Sequence, residues 1–502
     1  MRDLAVSILL VTLAGAARAQ DPAVVGGILR EIRVETADIF AAGEVEARPL
    51  KGLANAVHWR TRENVVRREI WLHPGDEVIP AQAAELERNL RALGIFAEVT
   101  CRLVAVGDGE HVDLEVRTRD RLSLNFGAGA SLVGGITSVN TEIGEGNLFG
   151  LGDRVSATFR KNSVGEYDGS LGYTDLHVLD SWHTGRVTVS RSEEGDSFEL
   201  DLRRPFKHLA DPRAYGFAVN RTAYAADYYR GGVSVAEVPV TSSAFGSDIT
   251  WASGPRNARW SRGWFLELEQ RDYGTAVGPF APQIRVPGDT ATAFVGGRMR
   301  WNLYSGFRKV ESLDTLDYVQ DVPLGTFFGI SAGARYRDER GAGGDLQPEV
   351  AGDLRWAGEP LTNVFVDLTT RGRLRWDGGR AVGWYGRTAG QVFTLLGGRY
   401  ALGTNVVYDA VEELQDLPVE LTLGEDNGLR GYPAREFAGS SRVRMNLENR
   451  FDTGIDVLTL RLGLVAFYDV GWIGTGSRLG RPFDSAGFGL RIGGKELLGS
   501  GV

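Results

Sequence analysis

Residues 459–472 read TLRLGLVAFYDVGW, and this stretch decides the fold class. Drawn as an extended chain, one face carries Leu460, Leu462, Leu464, Ala466, Tyr468, Val470 and Trp472. The other carries Thr459, Arg461, Gly463, Val465, Phe467, Asp469 and Gly471. Strict alternation marks a strand, because successive Cβ atoms point to opposite faces. Strands of soluble proteins run about 5–6 residues, and this one is more than twice as long. A continuous apolar face ending in Tyr and Trp, backed by a polar face, fits a wall between lipid and a wet lumen.

The same period recurs outward from that stretch. Val443, Met445 and Leu447 alternate with Arg442, Arg444, Asn446 and Glu448; Val155, Ala157 and Phe159 alternate with Arg154, Ser156, Thr158 and Arg160. Roughly eighteen such segments lie between Arg121 and Ile492, each bounded to within a few residues. Short turns (Gly150-Leu151-Gly152, Asp377-Gly378-Gly379) alternate with longer polar connections such as Gly278 to Asp289. This suggests short turns on one side of a membrane and long loops on the other. A soluble sandwich would have shorter strands, and a propeller would show an internal repeat. The predicted fold is an antiparallel transmembrane β-barrel over residues 121–502.

Composition is compatible with that reading. The chain has 502 residues and a formal charge of −9, which disfavours sequence-independent nucleic-acid binding. Mean hydropathy is −0.16, unremarkable, as alternating barrel strands require. Cys101 is the single cysteine, so no disulfide can form within the chain. Residues 1–19 combine Arg2, an apolar run from Leu4 to Leu13 and Ala17-Arg18-Ala19, the pattern of a secretory signal peptide.

Residues 28–117 read differently, as an α/β module of order β-α-α-β-β. Ile28, Ile32 and Val34 start a strand. Thr61 to Leu72 reads as a helix with Thr61 as N-cap, stopped by His73-Pro74-Gly75. Gln82 to Leu93 is a second helix, with Ala83, Leu86, Leu90 and Leu93 on one face and Gly94 as C-cap. Two strands follow around the Gly107-Asp108-Gly109 turn, and Cys101 falls on an apolar face, predicting a buried, inert thiol.

No catalytic motif of the G-x-S-x-G, H-E-x-x-H or Walker type occurs, and the six histidines form no pair at metal-ligand spacing. The sequence predicts no enzyme, cofactor or metal; a lipase assembled across strands is the alternative that leaves no local motif. One constellation stands out. Residues 426–432, Asp-Asn-Gly-Leu-Arg-Gly-Tyr, sit in a long connection between two barrel-like segments, followed by Glu448 and Asp469 on the polar faces of successive strands. Spacing leaves two readings open. Arg430 is a solvated loop residue, or it folds back to give lumen carboxylates a charge-assisted partner.

Leu429-Arg430-Gly431-Tyr432 resembles the [V/I/L]-R-G-[F/Y] loop motif of the Omp85 superfamily of outer-membrane barrels, the bacterial surface antigen D15 and BamA/TamA-like group. Phe467-Tyr468-Asp469-Val470-Gly471 is similar to its F-x-D-x-G strand. Glu448 falls where the family places a second lumen acid, and Asn147-Leu148-Phe149-Gly150-Leu151-Gly152 resembles its N-L-F-G-x-G turn. The α/β module resembles a single POTRA domain, with Gly75-Asp76 and Leu90 to Phe96 in the usual places. The resemblance implies a lumen-loop motif of Leu429, Arg430, Gly431 and Tyr432, with lumen partners Glu448, Phe467, Asp469 and Gly471. It implies localisation in the outer membrane of a Gram-negative bacterium, with the POTRA in the periplasm. The implied function is insertion of β-barrel proteins or polypeptide translocation, with partners in the lipid bilayer, unfolded outer-membrane or secreted clients and accessory periplasmic proteins. A passive pore is the alternative. Family barrels have sixteen strands with the motif loop after the eleventh, whereas about fifteen segments precede Arg430 here. Members also end in further strands and an aromatic residue, so the resemblance implies that closing strands are missing after Gly487 to Ile492.

Overall fold

The computed structural model describes residues 26–41, 43, 52, 55–133, 136–162, 167–193, 195–311, 319–339, 343–397, 399–413, 416–417, 419–457 and 460–493. The stretch read as a signal peptide lies outside them.

The N-terminal module comprises β1 (Gly27–Ala37), α1 (Glu63–Glu69), β2 (Glu77–Val78), α2 (Pro80–Ala92), β3 (Phe96–Ala105) and β4 (His111–Asp120). Its sheet has the order β2-β1-β4-β3, with β1 parallel to β4. The apolar faces of the helices, Val65, Val66, Leu86 and Leu90, pack on Leu29, Val99, Leu103, Leu114 and Val116 to form one core that includes Cys101. The first helix is shorter than its sequence suggests. Thr61 is not its cap; Arg62 holds that position, and Ile70, Trp71 and Leu72 leave the helix to enter the core. Gly94 does close α2, at φ +73°, with its N–H donating to Arg91 O. A short strand, β2, lies between the helices, and β4 runs on to Asp120, three residues past the expected edge of the module.

From Leu124 the chain forms one closed antiparallel sheet. Its low strands are β5 (Leu124–Val133), β6 (Ile136–Leu148), β7 (Asp153–Asn162), β8 (Tyr167–Asp175), β9 (Thr184–Ser192) and β10 (Gly195–Arg204). Its tall strands are β11 (Arg213–Arg230), β12 (Val233–Ser253), β13 (Ala258–Tyr273), β14 (Thr290–Glu311), β15 (Val319–Glu339), β16 (Gly343–Leu361), β17 (Val364–Asp377), β18 (Arg380–Gly397) and β19 (Tyr400–Glu413). After the long connection, which carries a small hairpin of β20 (Leu421–Leu423) and β21 (Phe437–Gly439), come β22 (Ser441–Val457), β23 (Leu460–Thr475), the stub β24 (Arg478–Leu479) and β25 (Phe483–Gly493). Leaving out the stub, eighteen strands form the wall among the described residues, and fifteen precede Arg430. The sheet closes with β25 beside β5, so the ring is complete without the further strands that the resemblance implies.

Connections depart from the expected layout. Antiparallel alternation puts the Gly150 turn, between β6 and β7, at the module end, and the Gly378-Gly379 turn, between β17 and β18, at the far end. Tight turns therefore occur at both ends. The far end also has Gly231-Gly232 at φ +60° and +73°, the left-handed conformation of a two-residue hairpin. At the far end some tall strands are joined by tight turns, but β13 and β14 are linked there by residues 274–289, while at the module end residues 176–183 and 205–212 pack on the module.

The outer face is apolar. Trp260, Trp301 and Phe328 lie in direct cross-strand register and stay exposed, an aromatic band nearer the module end. Leu268, Val295, Ile330, Val350, Leu368 and Leu464 are exposed on the same outer face. The inner face is ionic: Asp353, Arg371, Arg387, Asp409 and Arg442 follow one another in register over five strands. No described helix is long and apolar enough to cross a membrane. This chain crosses with strands.

Candidate functional site

The connection between β19 and β22 folds back into the barrel. Its turn is built by local hydrogen bonds: Gly424 N–H donates to Asn427 Oδ1 at 3.0 Å, and Leu429 N–H donates to Gly424 O at 2.9 Å. Gly428 and Gly431 sit at φ +104° and +91°, a region that only glycine enters freely. That geometry leaves Leu429 fully buried with Leu423 and Ile473, while Tyr432 packs with Phe437 and Phe483.

Arg430 then meets the wall. Its Nε and Nη2 donate to Asp469 Oδ2 and Oδ1 at 2.8 and 2.7 Å, a bidentate pair, and its backbone N–H adds a third bond to Oδ2 at 3.1 Å. Nη1 donates to Glu448 Oε1 at 2.8 Å, and the guanidinium lies 3.7 Å from the Phe467 ring centre. Asp469 is fully buried and Arg430 about a third exposed. Two more residues complete the cluster. Asn446, opposite Asp469 in register, donates Nδ2 to Asp469 Oδ1 at 2.8 Å, and Arg450 Nε donates to Glu448 Oε2 at 3.0 Å. Every lone pair of the buried carboxylate is thereby engaged, which offsets its desolvation.

The strand motif divides its work by residue. Phe467 supplies the face under the guanidinium and Asp469 accepts it. A side chain at Gly471 would put Cβ 2.6 Å from Leu423, so glycine gives the loop room to lie on the wall. The other arginines on the polar faces of these strands go elsewhere: Arg442 to Asp409, Arg444 to Asn427 O and Arg461 to Asp452. Sequence parity puts Glu448 and Asp469 on inward faces; Asn446 and Arg450 share that parity with Glu448, but parity does not mark them as partners.

A second cluster, at the joint between module and barrel, was missed altogether. His58 Nε2 lies 2.8 Å from Asp120 Oδ2, and its Nδ1 lies 3.2 Å from Ser123 Oγ, all three side chains buried. These are the residue types of a hydrolytic triad, but the serine is sealed from solvent and no substrate reaches it. The group is a joint. Asp120 also accepts Thr61 N–H at 2.6 Å, and Asn147 Nδ2 donates to Trp59 O and Thr61 Oγ1 at 3.0 and 2.9 Å. Gly152 N–H donates back to Asn147 Oδ1 at 2.8 Å, and Arg62 N–H to Gly150 O at 2.9 Å. The N-L-F-G-x-G turn thus clasps residues 59–62.

Beyond the joint the helices lie against the barrel's near end. Arg91 forks onto Asp321 at 2.7 and 3.0 Å, Lys309 reaches Glu87 at 2.5 Å, and Glu69 meets His177 at 2.7 Å and Lys207 at 3.3 Å. Glu85 pairs with Arg256, and Trp71 stacks on His208. Among the described residues no group of His, Cys, Asp and Glu could hold a metal ion.

A closed sheet with an apolar outer band, an ionic interior and an α/β module at one end defines an outer-membrane β-barrel. No family model matches the chain. A curated relative, the outer membrane protein assembly factor BamA of Neorickettsia risticii (strain Illinois), is 31% identical over 136 residues, covering 26% of this chain and 18% of that relative. The matched stretch is thus about a fifth of the relative's length. Among solved structures, CdiB from Acinetobacter baumannii aligns over 93% of this chain and 74% of its own, at 12% identity and a TM-score of 0.44. BamA from Haemophilus ducreyi lacking POTRA domains 1-3 aligns over 92% and 78%, at 12% identity and 0.37. Over the 136 matched residues the chain is thus similar to an outer-membrane protein assembly factor.

Proposed function

We propose that this protein lowers the barrier to inserting β-barrel polypeptides into the outer membrane, with its lumen loop bracing the wall next to the seam. The carrying observation is the Arg430 clamp: it fixes the loop to β22 and β23, and β23 pairs with β25, the strand beside β5. No nucleotide is available at that membrane, so the work must come from structure. The first strand reads Leu-Asn-Phe-Gly-Ala-Gly-Ala-Ser-Leu-Val, rich in small residues whose pairing register is weakly held. Its edge, once open, would template an incoming client strand by main-chain hydrogen bonding. The N-terminal module, in the periplasm as a single POTRA-like domain, would collect unfolded clients at a sheet edge.

Insertion is preferred here to passage through the lumen or to a passive pore because the interior is crossed. The loop lies in it, and Leu417 joins Tyr228, Val238 and Val240 in an apolar cluster toward the far end. The test is a double-mutant cycle on client insertion into lipid vesicles. Arg430→Ala and Asp469→Ala each remove their shared charge-assisted pair, on the order of 1–3 kcal/mol. Each should slow insertion about tenfold, and the pair together little more, because one interaction is lost. Fully additive losses would mean that the residues act separately, and the bracing mechanism would fall.

A further inference from the structure

The lumen loop is held at several places, and Arg430 supplies only one of them. Where the chain leaves β19 it turns across the lumen face of the tall wall. Asp416 accepts Arg375 Nη2 of β17 at 3.0 Å and lies 3.5 Å from Arg337 Nε of β15. Both guanidinium groups are under a tenth exposed. Glu413, the last residue of β19, meets Arg375 at 2.7 Å and Arg373 at 2.5 Å, so the carboxylate of Asp416 enters a site whose cations are already gathered on the wall. Leu417 follows into the apolar cluster on β11 and β12, and Glu420 pairs with Arg230 of β11 at 2.9 Å. After the Arg430 segment the loop returns to β11, where the Arg435 guanidinium lies 4.8 Å from the Tyr229 ring centre.

We propose that Asp416 is a second charged anchor of the lumen loop, opposite in sign to Arg430 and fixed to the tall wall, so that the loop is a strut across the lumen. A loop fixed only to β22 and β23 could follow those strands if the seam opened. A loop fixed also to β15 and β17 holds the seam-side wall at a set distance from the rest of the barrel. The charge arrangement suits this. The loop presents an acid to an arginine-lined wall and an arginine to an acid-lined wall, so neither end can dock in the other's place without meeting like charge. Asp416 touches no client in this account and is a positioning residue. The inference rests on the barrel alone and holds or fails independently of insertion activity.

The experiment uses the full chain folded in lipid bilayers, with nitroxide labels placed singly by Val419→Cys and Glu425→Cys, and single-pore conductance as a second readout. Asp416→Asn is nearly isosteric; its expected effect is a rise of roughly tenfold in the mobile population at 419, the equivalent of one charge-assisted hydrogen bond, with 425 unchanged. Arg430→Ala should do the reverse. The double substitution should open the pore by more than the two single conductance changes combined, since either anchor alone keeps the loop inside. Asp416→Glu should restore the wild-type signal at 419, and heat-modifiable gel migration reports that each variant is folded. If Asp416→Asn folds poorly, Arg337→Gln removes one of its cations, and a partial rise at 419 is then expected. An unchanged 419 signal in a folded Asp416→Asn or Arg337→Gln variant would overturn the proposal. So would labels at 419 and 425 that respond alike to Arg430→Ala, which would make Arg430 the sole anchor.

Discussion

At the scale of the residue, environment decides what a side chain can do. Asp469 is buried yet takes four hydrogen bonds, from Arg430 N, Nε and Nη2 and from Asn446 Nδ2. Arg430→Ala removes the two side-chain donors and leaves the buried carboxylate with the residue-430 N–H and Asn446 Nδ2, so the two partners of the cycle need not lose equally. Cys101 is the opposite case. It is buried in the module core, where desolvation pushes its thiol well up, with the nearby Glu87 charge acting the same way. Reaction requires the thiolate. The folded protein should therefore resist maleimide at neutral pH over hours, and label fully only after denaturation; rapid labelling of native protein would refute this.

At the scale of the element, the turn from Asn147 to Gly152 is a clasp rather than a simple connection. Gly150 sits at φ +73°, and a Cβ there would lie 2.3 Å from Arg60 O; Asn147 bonds on both sides of the joint. Asn147→Ala should cost about 1–3 kcal/mol at the joint, since it strands Trp59 O and Gly152 N–H. The expected readout is faster proteolysis between residues 55 and 62, with the barrel's heat-modifiable migration unchanged. Wild-type proteolysis in that variant would remove the clasp role.

At the scale of the molecule, the module is held by ionic latches across the near end, and one of them has a pH sign. Burial works to raise the Glu69 carboxyl, but the His177 hydrogen bond and the Lys207 charge outweigh it and hold the group below its usual range. A depressed acid stabilises the docked state above the unfolded pKa of about 4.3 and loses that contribution as pH falls through the folded value. Docking should therefore be flat from pH 7 to about 5 and weaken below about 4. In Glu69→Gln that acid-side loss should shrink, with docking already looser at pH 7, as read by spin-label distances between module and barrel. An identical pH profile for the variant would rule this latch out.

What the sequence determined by itself was periodicity and chemistry. Alternation in 459–472 set the strand and its inward residues, because Cβ direction follows the pleat whatever the partner. Helix spacing around Leu86 and Leu90 likewise set the face that enters the module core. The sequence misjudged Thr61, whose hydroxyl accepts from Asn147 instead of capping a helix, because that donor lies 86 residues away. It could not show the side-to-side distribution of turns, which depends on where each strand ends, nor that Asn446 stands opposite Asp469, which depends on register. Only the tertiary structure decided where the loop's charges go. Arg430 reaches 39 residues along the chain and Asp416 reaches 41, and such pairings are fixed by closure of the sheet, not by any local preference of the residues involved.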